Sequence, residues 1–207
     1  MPHDPLQSDR RGHAPPDTAR RRLLAAGLAL PAVLLVPAAA DAQPLPKPGP
    51  GGFTELRWDD LVPKGWDPMK GLRDKGVSNP AALTDGDPKT EALLSEMRQA
   101  WDNAPTEPSL NGSRVKLPGY LVPLDETAAG HTEFLLVPYF GACIHTPPPP
   151  ANQIVLVVPA KPAAGFRSMD TVWVSGTIRT VRGNSAMGST GYRIDAMRVE
   201  HYKAAAR

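Results

Sequence analysis

The chain has 207 residues, 41% of them apolar, with 25 prolines, one cysteine and a formal net charge of +2. That is enough chain to bury one ordinary core, while so small a charge excludes a strong field for nucleic acid or an anionic membrane. One cysteine also excludes an internal disulfide.

The first 42 residues read as an export signal. Arg20, Arg21 and Arg22 precede an apolar run over 23–36, and Ala40-Asp-Ala42 supplies the small residues of a cleavage site. The paired arginines followed by Leu23 and Leu24 are similar to a twin-arginine signal; an ordinary secretory signal with a long basic start is the alternative. The run is shorter than the ~20 residues of a spanning helix. A mature periplasmic chain without a membrane span is therefore expected to begin near Gln43. Removing five arginines and four acids with the leader leaves 18 basic and 17 acidic residues, a net charge of +1. In an oxidising compartment a lone cysteine points to a buried thiol, a metal ligand, or a reactive or intermolecular thiol.

Residues 43–52 are rich in proline and glycine and read as a flexible linker. The remainder, 53–207, reads as a single domain, with a helical part over 53–105 and a barrel over 110–203. Thr54 is expected to cap a short helical turn that Pro63 stops, with Leu56 or Trp58 and Leu61 facing inward. Residues 71–85 read as a polar loop. The clearest helix is 88–102, where Asp87 suits the N-cap, Pro88 the first helical position and Glu91 the favourable end of the dipole. Leu93, Leu94, Met97 and Trp101 form one apolar stripe, expected to pack into the core.

From Leu110 the period becomes that of strands. Strands are expected over 115–122, 131–140, 154–158, 171–181 and 192–202, with loops at 125–130 and 183–191. Pro118 and Gly119 suggest a bulge or sharp bend in the first strand, and Gly176 a bend in the fourth. Five or six short strands with glycine bends indicate a mainly β chain, a small OB-like β-barrel with an N-terminal helical segment.

Function centres on Tyr139-Phe-Gly-Ala-Cys-Ile-His-Thr-Pro-Pro-Pro-Pro-Ala-Asn-Gln153. Residues i and i+2 of an extended strand share a face, so Cys143 and His145 can converge. The prolines from Pro147 to Pro150 cannot donate backbone hydrogen bonds and favour a stiff polyproline conformation. They would stand as a wall beside the thiol and the imidazole.

Together with Leu117-Pro-Gly-Tyr-Leu-Val-Pro-Leu-Asp125 and Val172-Trp-Val-Ser-Gly-Thr177, this stretch resembles a bacterial family of exported proteins catalogued as domain of unknown function 3299. The resemblance runs over about 53–202. It implies an exported protein, sometimes encoded beside an ABC-transporter permease or a metal-handling operon, and carries no established activity.

Three accounts of the Cys143–His145 pair stay open. A thiolate and an imidazole suit zinc or copper, with further ligands drawn from His131, Glu133, His201, a methionine such as Met169, Met187 or Met197, or a second copy in a homodimer. Alternatively Cys143 is core and His145 bonds a carbonyl, as in a structural or protein-interaction module. The third is a thiol-dependent enzyme, against which stand a same-face spacing of about 7 Å and the lack of a resolving cysteine. Tyr139, Phe140, Pro147, Pro148, Asn152 and Gln153 are candidate binding residues, although capping the strand end is the plainer role for the two amides. The working expectation is a periplasmic binding or accessory protein with a zinc or copper site, serving an ABC-transporter permease or other envelope protein. Nucleic acid is not an expected partner.

Overall fold

A computed structural model describes residues 47–49, 51–77, 86–142 and 148–203. All of these belong to one unit, Ala39–Arg207; the expected export signal over 1–42 lies outside the described residues.

The strand β1 (Thr54–Glu55) runs parallel to the start of β2 (Arg114–Pro123). Antiparallel ladders then join β2 to β3 (Phe134–Val137) and β3 to β4 (Val155–Pro159). The strand β5 (Thr171–Arg179) pairs antiparallel with both β2 and the last long strand, Tyr192–His201. Between them lies a small hairpin, β6 (Gly183–Ser185) and β7 (Gly188–Thr190), so the last strand is β8. β8 also runs parallel to β4. The ring β2–β3–β4–β8–β5 closes back on β2, which is a five-stranded barrel of OB type.

Alternation builds the interior. Val115, Leu117 and Leu121 of β2 meet Val172, Val174 and Ile178 of β5 and Tyr192 and Ile194 of β8 in one fully buried cluster. The β2–β5 register runs unbroken through Pro118↔Trp173 and Gly119↔Val172, so the bulge or bend anticipated at Pro118 and Gly119 is not a bulge. Gly119 serves close approach instead: a Cβ there would lie 2.8 Å from Leu136 Cγ and from the Val137 carbonyl oxygen. The bulge falls at Ser175/Gly176, against β8. There an added Cβ on Gly176 would lie 2.3 Å from the Asp195 carbonyl oxygen.

Four elements differ from expectation. Thr54 is a strand residue rather than a helix cap, because its backbone pairs with Val115; the turn that follows is a 3-10 turn over Trp58–Leu61. A one-turn helix, α1 (Lys70–Asp74), stands where a loop was expected and buries Leu72. The glycine-rich stretch after β5 forms the β6–β7 hairpin. The second expected strand, 131–140, is shorter, with His131 only in an isolated bridge to Ala163.

The second helix, α2 (Pro88–Asp102), has the anticipated start: Asp87 accepts a hydrogen bond from the Lys89 N–H at 3.2 Å. Its apolar stripe is only half-buried, however, and Thr90 is its one buried residue. Arg182 holds its far end, donating to the carbonyl oxygens of Asp102, Asn103 and Ala104 at 2.9, 2.9 and 2.7 Å. The Asp102 carbonyl is one that a helix end leaves without an intrahelical partner, and Asn103 and Ala104 continue directly from it. Tyr192 fastens the N-terminal part to the barrel. Its buried hydroxyl donates to Leu61 O at 2.6 Å and accepts the Glu107 N–H at 2.5 Å, and burial pushes its pKa up.

Candidate functional site

The short strand β3 is buried on both faces. Phe134 and Leu136 point into the barrel. Leu135 and Val137 face outward into a second cluster with Val122, Ala142 and Ile154, against which Tyr120, Leu124, Leu156, Met169 and Met187 pack. The outer face of β3 and β4 corresponds to the second and third strands of the ring, the face on which OB barrels hold their ligands. Here that face is covered by the chain itself: Ala142 belongs to the motif, Ile154 directly follows it, and Met187 comes from the β6–β7 hairpin.

Cys143, His145 and Pro147 lie outside the described residues, which include both flanks, 139–142 and 148–153. Tyr139 and Phe140 are 46% and 68% exposed, and the Phe140 ring meets Tyr120 edge-on at 5.9 Å. Ala142 is then fully buried. Beyond the gap, Pro148 is half-buried and Pro149 buried. A 3-10 turn over Ala151–Gln153 follows. Asn152 Nδ2 donates to Pro105 O at 3.0 Å, and Gln153 Nε2 donates to Trp58 O at 3.0 Å. The Gly191 N–H donates to Ala151 O at 2.6 Å. The two amides therefore tie the motif's exit to the N-terminal segments instead of capping a strand end. Asn152 Oδ1 is buried without a hydrogen-bond partner.

The half-buried stripe of α2 acquires a role beside this frame. Leu94, Met97 and Trp101 face Met187, Gly188 and Pro148 across a groove of about 410 Å³. A Cβ on Gly188 would lie 3.0 Å from Pro148 Cβ, so the hairpin lies directly against Pro148. Periodicity identified the stripe, and Met187 was one of the candidate thioethers. The hairpin itself was missed, because the two residues of its loop, Ala186 and Met187, carry none of the Asn-Gly or Gly-X signals of a two-residue hairpin turn.

His131 has a different environment from a ligand's. The residue is 4% exposed, with Nδ1 2.7 Å from Asp125 O and Nε2 3.1 Å from Phe166 O. Both nitrogens face acceptors, so neither offers a lone pair to a metal in this arrangement. The bond to Asp125 O, ahead of the bond to Phe166 O and the nearby Glu126 and Asp125 charges, raises its pKa despite burial. The Asp125 carboxylate accepts from the N–H groups of Thr132 and Glu133 and from the Thr132 hydroxyl, and that hydroxyl leads in lowering its pKa. Glu133 is exposed, His201 lies against Phe166 at 4.5 Å, and Met197 is 65% exposed. Among the described residues no three His, Cys, Asp or Glu side chains gather as a metal site.

The sequence model of the family described as Protein of unknown function (DUF3299) matches residues 58–201. The chain belongs to that family. Among solved structures, this DUF3299 chain is similar to a DUF3299 family protein from Pseudomonas aeruginosa PAO1, with 39% identity and a TM-score of 0.58. That match covers 75% of this chain and 100% of the other. A putative aspartyl-tRNA synthetase from Leishmania major Friedlin matches at 13% identity and TM-score 0.33, over 48% of this chain and 19% of that one. A small single-stranded DNA-binding protein from Streptomyces coelicolor matches at 16% and 0.29, over 44% and 95%. Nothing matches among curated proteins. The motif residues 139–153 all fall inside the span that the DUF3299 family shares.

Proposed function

We propose that this DUF3299 protein is an exported binding or accessory protein of the bacterial envelope that works through the segment 139–153. One observation carries the proposal: both ends of that segment are anchored by buried residues, Ala142 on one side and Ala151 and Asn152 on the other, on the face where OB barrels take ligands. Cys143 and His145 stand two residues apart in the sequence between those anchors. Cys143 and His145 are proposed as soft ligands for zinc or copper. His131 is left out of the ligand set because both its nitrogens face carbonyl oxygens. Two protein ligands leave a tetrahedral site half filled, so the reading calls for further donors, such as the same pair from a second copy.

The test is the metal content of the mature protein, isolated from the periplasm without chelator. Near-stoichiometric zinc or copper in the wild type, lost in Cys143→Ala/His145→Ala with an unchanged melting temperature, is the expected result. A metal-free protein that ignores added Zn²⁺ and Cu(I) overturns the metal assignment. A second reading, a protein-interaction module, is favoured by the exposed Tyr139 and Phe140 and, separately, by the apolar groove along α2. It would then stand alone, with an envelope protein such as a transporter permease as partner.

A further inference from the structure

The arc of the ring made by β2, β5 and β8 carries a second surface, none of whose lining residues belongs to the groove beside the motif. Arg114 and Lys116 stand two residues apart on β2, so they share a face at a repeat of about 7 Å. Each is steadied by an aromatic ring. The Arg114 guanidinium carbon lies 4.6 Å from the Phe53 centroid, and Lys116 Nζ lies 4.1 Å from that of Trp173. Trp173 is in turn stacked on Tyr202 at 5.3 Å. With Lys116 and Tyr202 both against it, Trp173 acts as a support for the cation rather than as an open platform for a base. Neither Arg114 nor Lys116 pairs with a carboxylate among the described residues.

Opposite them the β5–β8 ladder breaks. Gly176 pairs with Ala196 and Ser175 with Arg198, which leaves Met197 unpaired and 65% exposed. Bulges of this kind re-aim side chains, and this one places Met197 and Arg198 on the rim of a concavity. Phe53, Arg114, Lys116, Met197, Arg198 and Glu200 line about 330 Å³ there. Three cations face a single carboxylate, Glu200, whose Oε2 is 3.9 Å from Arg198 Nη1. The surface thus offers two propped cations at strand repeat, an apolar thioether and one negative pole.

We infer that this surface docks an extended acidic segment of a partner protein. Acidic side chains at alternate positions of an extended peptide recur at the same repeat of about 7 Å, in register with Arg114 and Lys116. An apolar residue of such a segment can lie on Met197. Glu200 disfavours a phosphodiester chain, whose charge is continuous, but leaves room for a peptide whose acids alternate with neutral residues. The inference stands apart from the metal assignment at Cys143 and His145.

Fluorescence anisotropy of the full mature chain with a labelled (Glu-Val)₄ peptide tests it, at low and at physiological salt. Binding is expected to weaken by about tenfold or more in Arg114→Glu/Lys116→Glu and to fall with added salt. The exposed Lys64→Glu, outside the concavity, should bind like the wild type. Should the double variant melt lower, the single Arg198→Ala, at an exposed side chain, is expected to weaken the peptide without changing the melting temperature. Absence of peptide binding, equal loss in Lys64→Glu, or tighter binding of a single-stranded oligonucleotide at equal salt would each overturn the inference.

Discussion

Replacing Tyr192 by Phe removes one oxygen and keeps the ring, so no cavity opens in the barrel. Everything lost belongs to the hydroxyl. It donates to Leu61 O at 2.6 Å and accepts the Glu107 N–H at 2.5 Å, and it bridges residues 131 and 85 positions away in sequence. Tyr192 is fully buried, as is Leu61. The substitution therefore strands a carbonyl and an amide that water reaches poorly. Each orphaned group costs about 1–3 kcal/mol, and partial relaxation of the N-terminal segment reduces the sum, giving an expected loss of about 2–4 kcal/mol. For a domain of this size that lowers the melting temperature by about 5–15 °C. Urea unfolding of the mature chain, followed by tryptophan fluorescence, reads the change directly. The expected variant has a lower midpoint and an unchanged slope. A loss under about 0.5 kcal/mol would show that the two contacts are replaced without penalty, and would refute the view that Tyr192 holds the N-terminal segment to the barrel.

Two other outcomes follow from the geometry. Gly176→Ala forces a Cβ to 2.3 Å from a backbone oxygen and 2.8 Å from Ala196 Cα, so the bulge must shift, at an expected cost of about 2–4 kcal/mol by thermal denaturation. Gly71→Ala, in helix α1 with nothing within 4 Å of the new Cβ, should instead be neutral or gain up to about 1 kcal/mol; an equal loss at both sites would contradict the steric account. His131 gives a pH dependence. Only the imidazolium can donate to both Asp125 O and Phe166 O, and its pKa is raised on folding. Its stabilising contribution is therefore complete below the unfolded value near 6.5 and is lost as pH rises through the folded value above it. Melting temperatures measured from pH 6 upward should fall across that window in the wild type relative to His131→Gln, and parallel curves would remove His131 from the account.

Much of this fold is legible in the residues, because local chemistry and tertiary placement agree. Asp87 and Pro88 start a helix wherever they stand, and the alternation in β2, β5 and β8 survives because one face of each is buried. What was missed depends on distant partners. Thr54 reads as a helix cap until Val115 offers it a parallel partner, and two residues carry no period of their own. Gly119 and Gly176 look equivalent in sequence, yet one clears space for Leu136 and the other sits in a bulge against Asp195. The stripe of α2 was visible as a face, but periodicity cannot say whether a core or an open groove lies opposite. His131 likewise shows its ring in the sequence and not the two carbonyls that engage it. For the motif, the sequence supplied the residue types, and the structure adds the buried anchors that fix both ends of the segment.

The place of β8 in the ring has a consequence for how the chain comes into being. The last strand to be synthesised is inserted between β4 and β5, not added at an edge. Until Tyr192–His201 arrives, both neighbours present unpaired backbone along their length, and β5 can meet only β2. A nascent chain halted short of Tyr192 would therefore expose two open sheet edges, the kind of surface that recruits another chain. Assembly of the barrel is in this sense a single closing event that waits for β8. Truncations that remove β8 should be found in aggregates or cleared by proteases, not as smaller folded domains.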